Sequence, residues 1–352
     1  MRYATDILFF VLLAFVPIAI GAAFAGVSPV AVFFLSALAI VPLARLIGQS
    51  TEELATRTTP VVGGLLNATF GNATELIIGI FALKAGLIEV VKASITGSII
   101  GNLLFVLGFA MFAGGLSREK QTFNKTGILA QSSTLLLATI ALIVPAIFFQ
   151  TAGGTGAAAV AGLSILVSLV LIGMYGASLL FSLYTHRHLY LEEVGRFESR
   201  WSSARAVVTL LAATLAVAWV SDILVAAIEP LAVRLGWSQL FVGAIFVAIV
   251  GNAAEHLSAV VVARKDRMDL ALQISIGSAT QIVLVVAPVL VMLGAPLGQP
   301  MDLIFNTFEL VAMVLAVLIV NFVVQDGESN WLEGLQLLAA YAIMAIAFYL
   351  HP

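Results

Sequence analysis

The chain has 352 residues, of which 61% are hydrophobic and only 10% charged, with a mean hydropathy of +1.12. Ordinary soluble domains carry about 25% charge, so the composition points to a membrane protein. A balance of 16 Lys and Arg against 19 Asp and Glu, net −3, excludes a strong electrostatic grip on nucleic acid. The absence of cysteine excludes disulfide frameworks, thiolate zinc sites, iron–sulfur clusters and cysteine nucleophiles.

A bilayer core takes about 20 apolar residues per helix. Between polar punctuation the chain offers eleven such stretches: 6–26, 28–48, 60–84, 88–115, 125–149, 156–184, 204–228, 236–263, 269–294, 302–323 and 330–350. They are too long, and too rich in Leu, Ala, Ile and Val, for the alternating strands of a membrane barrel. The expected fold is an all-α polytopic membrane protein with eleven transmembrane helices. Ala23-Phe24-Ala25 before Gly26 has the form of a signal-peptidase site. The apolar run before it, roughly 18 residues, is longer than a usual signal core, which favours a retained helix.

Basic residues set the orientation. Thirteen fall on the side of the N-terminus: Arg2, Arg45, Arg57, Arg118, Lys120, Lys125, Arg187, Arg196, Arg200, Arg205, Arg264, Lys265 and Arg267. Only Lys84, Lys92 and Arg234 fall on the other. The N-terminus is therefore expected in the cytoplasm and, with an odd helix count, the C-terminus outside. The lack of long tails fits a prokaryotic plasma membrane.

Sliding the chain against itself by 180 residues reveals a repeat. Val62-Gly63 meets Val242-Gly243, Ala68 meets Ala248, and Gly71-Asn72-Ala73-Thr74-Glu75 meets Gly251-Asn252-Ala253-Ala254-Glu255, with seven of fourteen positions identical. Lys84 falls on Arg264, and Gly97-Ser98 on Gly277-Ser278. Residues 1–27 form a peripheral N-terminal helix, 28–185 the first five-helix repeat, 186–203 a cytoplasmic linker and 204–352 the second repeat. Five crossings per unit force the second repeat to enter the membrane from the opposite side. Inverted repeats place a site near the midplane where broken helices meet, an architecture used mostly by secondary transporters. The linker carries Glu192, Glu193 and Glu198 among its arginines and reads as a solvated connection.

Glu75 is the one acidic residue between Arg57 and Lys84, and Glu255 the one between Arg234 and Arg264. A carboxylate at such depth costs about 2.5–3.5 kcal/mol on insertion scales, so it normally faces a cavity and acts on an ion or proton. Gly-Asn shortly before each Glu weakens the helix and frees backbone carbonyls, and Asn adds an amide oxygen. Ser98 and Asn102 from one repeat, with Ser278 and Gln281 from the other, complete an all-oxygen set. Such a set suits a hard divalent cation such as Ca²⁺. Two carboxylates at about 5 Å, in an effective dielectric of roughly 20, repel by about 3 kcal/mol. An empty, doubly ionised site is unfavourable, so the site holds either protons or a divalent cation, and metal affinity falls as pH falls.

Gly71-Asn72-Ala73-Thr74-Glu75-Leu76-Ile77 and Gly251-Asn252-Ala253-Ala254-Glu255-His256, with the later Gly97-Ser98 and Gly277-Ser278-Ala279-Thr280-Gln281, resemble the two alpha-repeats of the calcium/proton exchanger (CAX) family. The resemblance spans essentially the whole chain, including Ser50-Thr51-Glu52-Glu53-Leu54-Ala55. Sodium/calcium exchangers share the inverted-repeat fold, but their motifs read more like Gly-Thr-Ser-x-Pro-Glu, which is absent here. The resemblance implies one peripheral helix plus five and five, and extrusion of cytosolic Ca²⁺ driven by inward proton flow. By it, Glu75 and Glu255 are paired Ca²⁺ ligands that also accept protons. Backbone oxygens near Gly71, Asn72, Gly251 and Asn252 complete the site, and Ser98, Asn102, Ser278 and Gln281 hold water or enter the shell. Glu52 resembles a family residue on the cation path, against which stands a plain solvated charge at a helix end. His256 matches the family motif as a proton sensor or as a packed histidine. Ca²⁺ and H⁺ are cargo, and no resident cofactor is implied.

Two alternatives remain at this level: the same fold with another couple, such as Na⁺/Ca²⁺ or H⁺/Mn²⁺, and a channel using the carboxylates as a selectivity ring. A carboxylate pair among Gly-broken helices favours alternating access. Asp-rich prenyl-diphosphate loops and His-Glu-x-x-His are absent, which argues against an enzyme. Oligomeric state is not legible.

Overall fold

Helices begin where the sequence supplies a cap. In the computed structural model, which describes residues 9, 11–152, 156–186 and 201–351, the Ser28 side chain accepts the Ala31 N–H and Pro29 occupies the first turn, opening a helix over Pro29–Ala55. Asn124 accepts from Gly127 N–H at the head of Lys125–Thr151, and Ser202 from Arg205 N–H at the head of Ser203–Leu235. Asn306 with Glu309, and Asn330 with Glu333, form reciprocal capping boxes that start Thr307–Val323 and Trp331–Leu350.

The elements are α1 Val11–Phe24, α2 Pro29–Ala55, α3 Pro60–Phe70, α4 Ala73–Lys84, α5 Ile88–Gly115, α6 Lys125–Thr151, α7 Ala158–Thr185, α8 Ser203–Leu235, α9 Gln239–Gly251, α10 Ala253–Arg264, α11 Met268–Gly294, α12 Thr307–Val323 and α13 Trp331–Leu350. Seven of these are long and apolar enough to cross a bilayer singly: α2, α5, α6, α7, α8, α11 and α13. Each of the eleven expected stretches holds helix, with departures in detail. The stretch 60–84 is two helices, α3 and α4, and 236–263 is a pair, α9 and α10, bent by 60°. The stretch 302–323 starts as helix only at Thr307, because the Asn306–Glu309 box fixes the start there. Residues 1–8 and the linker residues 187–200, with Arg2, Arg187, Arg196, Arg200, Glu192, Glu193 and Glu198, lie outside the described residues.

The offset of 180 residues reappears in the backbone. Ala73–Lys84 corresponds to Ala253–Arg264, and Ile88 and Met268 start the next helices. Within those helices the hydrogen bonding loosens to π-type turns at Gly101–Val106 in α5 and Ile282–Val286 in α11. Among the described residues the most extensive helix–helix contact runs between α2 and α8, the first helices of the two units. Their buried faces include Phe33, Ile40, Leu43 and Ile47 on one, and Val217, Val220, Leu224 and Ile228 on the other. In α5 83% of the apolar window is buried against 22% in α7 and α13, which places α5 at the centre and the other two at the lipid-facing rim.

One feature departs from all-helix. Gln121–Thr122 and Glu328–Ser329 pair antiparallel as two short strands, β1 and β2, in register Gln121↔Ser329 and Thr122↔Glu328. Around them Gln121 Nε2 donates to Ala263 O (3.0 Å) and Asp266 Oδ1 (2.8 Å), Arg118 donates to Gly114 O and pairs with Asp266, and Lys120 pairs with Glu328. This ribbon fastens the C-terminal ends of α5 and α10, adding side-chain donors to Gly114 O and Ala263 O in their last turns.

Candidate cation site

Each unit breaks its helix at the same Asn. Asn72 (φ −105°, ψ 24°) separates α3 from α4, and Asn252 (φ −95°, ψ 14°) separates α9 from α10. The following helices then start with Ala73 and Ala253, so Glu75 and Glu255 both fall in a first helical turn. Unpaired N–H groups and the helix dipole make that turn a favourable place for negative charge. Gly251 is required by the approach of the two breaks: a Cβ there would sit 2.9 Å from Glu75 Cγ. The Glu75 stem thus lies across the opposite unit's break.

A side-chain network ties the two breaks together. Asn252 Nδ2 donates to Ser98 Oγ and to Ala248 O, both at 2.8 Å, while its Oδ1 accepts from Asn102 Nδ2 at 2.8 Å. Asn102 Nδ2 also donates to Ser278 Oγ at 2.9 Å, and Ser278 Oγ donates to Asn72 Oδ1 at 3.3 Å. Asn72 Nδ2 donates to Gln281 Oε1. Asn252 is therefore bound by a Ser and an amide from α5, and Asn72 by a Ser and an amide from α11. Asn102 and Gln281 are not related by the 180-residue offset, whose partners there are Ile282 and Gly101. Each instead supplies an amide to the Asn of the other unit.

The close approach that makes this possible comes from glycine. A Cβ on Gly97 would lie 1.9 Å from Ala244 O, and one on Gly243 2.7 Å from Val90 O. Backbones of α5 and α9 therefore touch, which sets Ser98 beside Asn252. Asn102, Asn252, Asn72, Ser98 and Ser278 are all buried.

The network leaves oxygens over. Both carboxylate oxygens of Glu75, and Asn102 Oδ1, are buried without a hydrogen-bond donor among the described residues. Buried polar groups are normally satisfied, so an oxygen-only cluster of this kind fits a proton or a hard cation.

Six of the sequence-derived candidates thus converge: Asn72, Ser98, Asn102, Asn252, Ser278 and Gln281, with Glu75 packed on Gly251. Gly71 and Gly251 precede the two Asn residues at the breaks. Glu52 is exposed at the end of α2, and its neighbour Glu53 is the buried one, accepting the Trp201 N–H at 3.1 Å. His256 is half-buried, its ring 5.8 Å from that of Phe105 and edge-on to it, and Phe105 in turn packs on Tyr341. Sequence reading missed Glu309, which accepts from Thr96 Oγ1 at 3.2 Å two residues before Ser98, and Lys92, paired with Asp302 at 2.5 Å. Neither recurs at the offset, so the repeat carried no signal for them.

The sodium/calcium exchanger protein family model matches residues 28–184 and 205–350. A Ca(2+)/H(+) antiporter of Synechocystis is 48% identical, the match covering 98% of both chains. The Ca(2+)/H(+) antiporter ChaA of Bacillus subtilis is 45% identical over 97% of this chain and 99% of its own. A crystal structure of the Ca2+/H+ antiporter protein YfkE superposes with a TM-score of 0.84 at 42% identity, covering 98% of this chain and 99% of that one.

Proposed function

We propose that this chain, which belongs to the sodium/calcium exchanger protein family, is a membrane antiporter that exports cytosolic Ca²⁺ in exchange for protons. The observation that carries the reading is the pair of intramembrane glutamates, one just after each helix break at an Asn, with the Glu75 carboxylate buried and without a donor among the described residues. The relatives described as Ca(2+)/H(+) antiporters support the choice of couple.

Glu75 and Glu255 are the ligands that exchange Ca²⁺ for protons. Oxygens of Asn72 and Asn252, and backbone carbonyls near Gly71 and Gly251, face the ion with them. Ser98, Asn102, Ser278 and Gln281 hold the two breaks in register. Ca²⁺ binding requires both carboxylates ionised, and their repulsion is relieved by the cation. When Ca²⁺ leaves, protons neutralise the pair, so the site re-crosses the membrane without an uncompensated double charge. Residues 28–185 and 204–352 act as the two inverted units, with 186–203 between them, and Glu52 lines the cytoplasmic approach. His256 packs beside the site as a modulator of its field. The N-terminus lies in the cytoplasm, by the distribution of Lys and Arg.

The test is ⁴⁵Ca²⁺ flux in proteoliposomes with the membrane potential clamped, driven in turn by a pH gradient, a Na⁺ gradient and no gradient. The antiporter moves Ca²⁺ uphill with the pH gradient alone. Uphill movement on the Na⁺ gradient would assign another couple, and downhill flux indifferent to both would assign a channel.

A further inference from the structure

The apolar helix α11 carries polar side chains at every fourth residue, Asp269, Gln273 and Gln281, with Gly277 in the third place. All four lie in its regular α-helical part, Met268–Gln281, so successive members stand about 6 Å apart and the row rises roughly 18 Å. Each is half-buried and shares that face only with Leu270 and Ile274, whereas Leu272, Ser275, Ile276 and Ala279 are fully buried. The gap at Gly277 is filled from α6: a Cβ there would meet Gln131 Nε2 at 3.2 Å and, among the described residues, nothing else within 4 Å. At one end of the row Asp269 follows Arg264, Lys265 and Arg267 and accepts the Asn124 N–H. At the other, Gln281 Oε1 accepts from Asn72 at the helix break. The equivalent places in the first unit are Glu89, Ala93, Gly97 and Gly101, and Val311 stands where Gln131 does. Only the terminal acid is shared, so the run of amides belongs to one unit and not to the repeat.

We propose that Gln273 and Gln131 form, with Gln281, the path by which cytoplasmic Ca²⁺ reaches the carboxylate pair, passing the ion from amide to amide as it sheds water. The inference rests on the reading of the chain as a Ca²⁺ exporter, with the basic end of α11 in the cytoplasm. Ca²⁺ takes oxygen ligands at about 2.3–2.6 Å and accepts Gln carbonyls among them. With steps of about 6 Å, an ion between two flexible amides keeps one while it gains the next. A neutral amide solvates the ion without holding it as a carboxylate would, and a path must bind weakly enough to let go. The Gln131 carbonyl oxygen is buried without a donor among the described residues, as suits an oxygen whose partner is transient. The matching row on α5 offers Ala93 and Gly97, which have no side-chain oxygen. Ca²⁺ is thus helped out of water on the side from which it is drawn against its gradient, and not on the side where it is released.

The test reads Ca²⁺ transport at the cytoplasmic face, in inside-out membrane vesicles from cells without Ca²⁺ exporters of their own, together with Ca²⁺ binding to the purified protein by calorimetry. Gln131→Leu and Gln273→Leu nearly keep the side-chain volume and remove the oxygen. Each should lower kcat/KM for Ca²⁺ by more than about tenfold through KM, with kcat at saturating Ca²⁺ and the calorimetric Kd within about threefold of wild type. The Tm of each should stay within about 2 °C of wild type. Gln131→Glu should act in the opposite sense by holding the ion longer: KM falls, and kcat falls by more than about threefold. A role in helix packing alone would move Tm and kcat together and would not give opposite signs of KM for Leu and Glu. Wild-type kcat/KM in both Leu variants, or a Kd that weakens in step with KM, would overturn the inference. Failure of proton-driven flux in the wild type would instead strike the antiporter reading, because KM for cytoplasmic Ca²⁺ is read with whichever gradient drives it.

Discussion

Asn252→Ala should be among the most damaging neutral substitutions in the chain. Asn252 is 0% exposed and makes three bonds of 2.8 Å, to Ser98 Oγ, Ala248 O and Asn102. Side-chain bonds between membrane helices average about 0.6 kcal/mol each, with a maximum near 1.7. Removing all three costs about 2 kcal/mol, and leaving Ser98 without its partner adds about 1 kcal/mol. For a chain of this length a total near 3 kcal/mol corresponds to a Tm lowered by roughly 4 °C in detergent. The assay is thermal unfolding of wild type, Asn252→Ala, Asn102→Ala and the double variant, because residues in one network do not add. The double variant should be less damaged than the sum of the singles by at least about 0.5 kcal/mol. Additive losses, or a Tm shift below about 2 °C, would refute the claim that this bond joins the two units.

Further outcomes follow from the same geometry. Gly251→Val places a side chain where Cβ is already 2.9 Å from Glu75 Cγ, so Ca²⁺ affinity measured by calorimetry should fall by more than about tenfold while the helical circular dichroism is kept. Ca²⁺ must displace protons from the carboxylate pair, so its Kd should rise as pH falls, with a limiting slope approaching two in log Kd against pH. A Kd unchanged from about pH 8 to about pH 5.5 would contradict shared occupancy. Gln121→Ala removes a buried side chain bonded to Ala263 O at 3.0 Å and Asp266 at 2.8 Å, and should cost about 2 kcal/mol in a denaturation series. Lys92→Ala breaks a partly exposed pair with Asp302, and the loss should stay within about 1 kcal/mol by the same series.

Much of the site was legible because the chemistry recurs. Gly-Asn-Ala-x-Glu appears twice at one offset, and the backbone breaks at both Asn residues with nearly equal angles. Hydropathy placed the helical stretches but not the interruption of 60–84 or the late start at Thr307. Apolar composition is blind to a capping Asn. The cross-partnering of Asn252 with Asn102, and of Asn72 with Gln281, was out of reach, because neither amide has an offset counterpart of its own type. The ribbon of Gln121–Thr122 with Glu328–Ser329 was likewise invisible, since two residues per strand carry no alternation. The buried member of the Glu52–Glu53 pair depends on Trp201, distant in sequence, and no local pattern distinguishes the two acids.

The most direct test of the central claim, that Glu75 and Glu255 together trade Ca²⁺ for protons, is to follow Ca²⁺ and internal pH simultaneously in proteoliposomes at clamped potential, for wild type, Glu75→Gln and Glu255→Gln. Wild type should move Ca²⁺ uphill with a counterflow of protons, and each variant should lose both movements together. A variant that keeps proton-driven Ca²⁺ flux, or one that keeps Ca²⁺ flux while losing only the proton movement, would contradict the account.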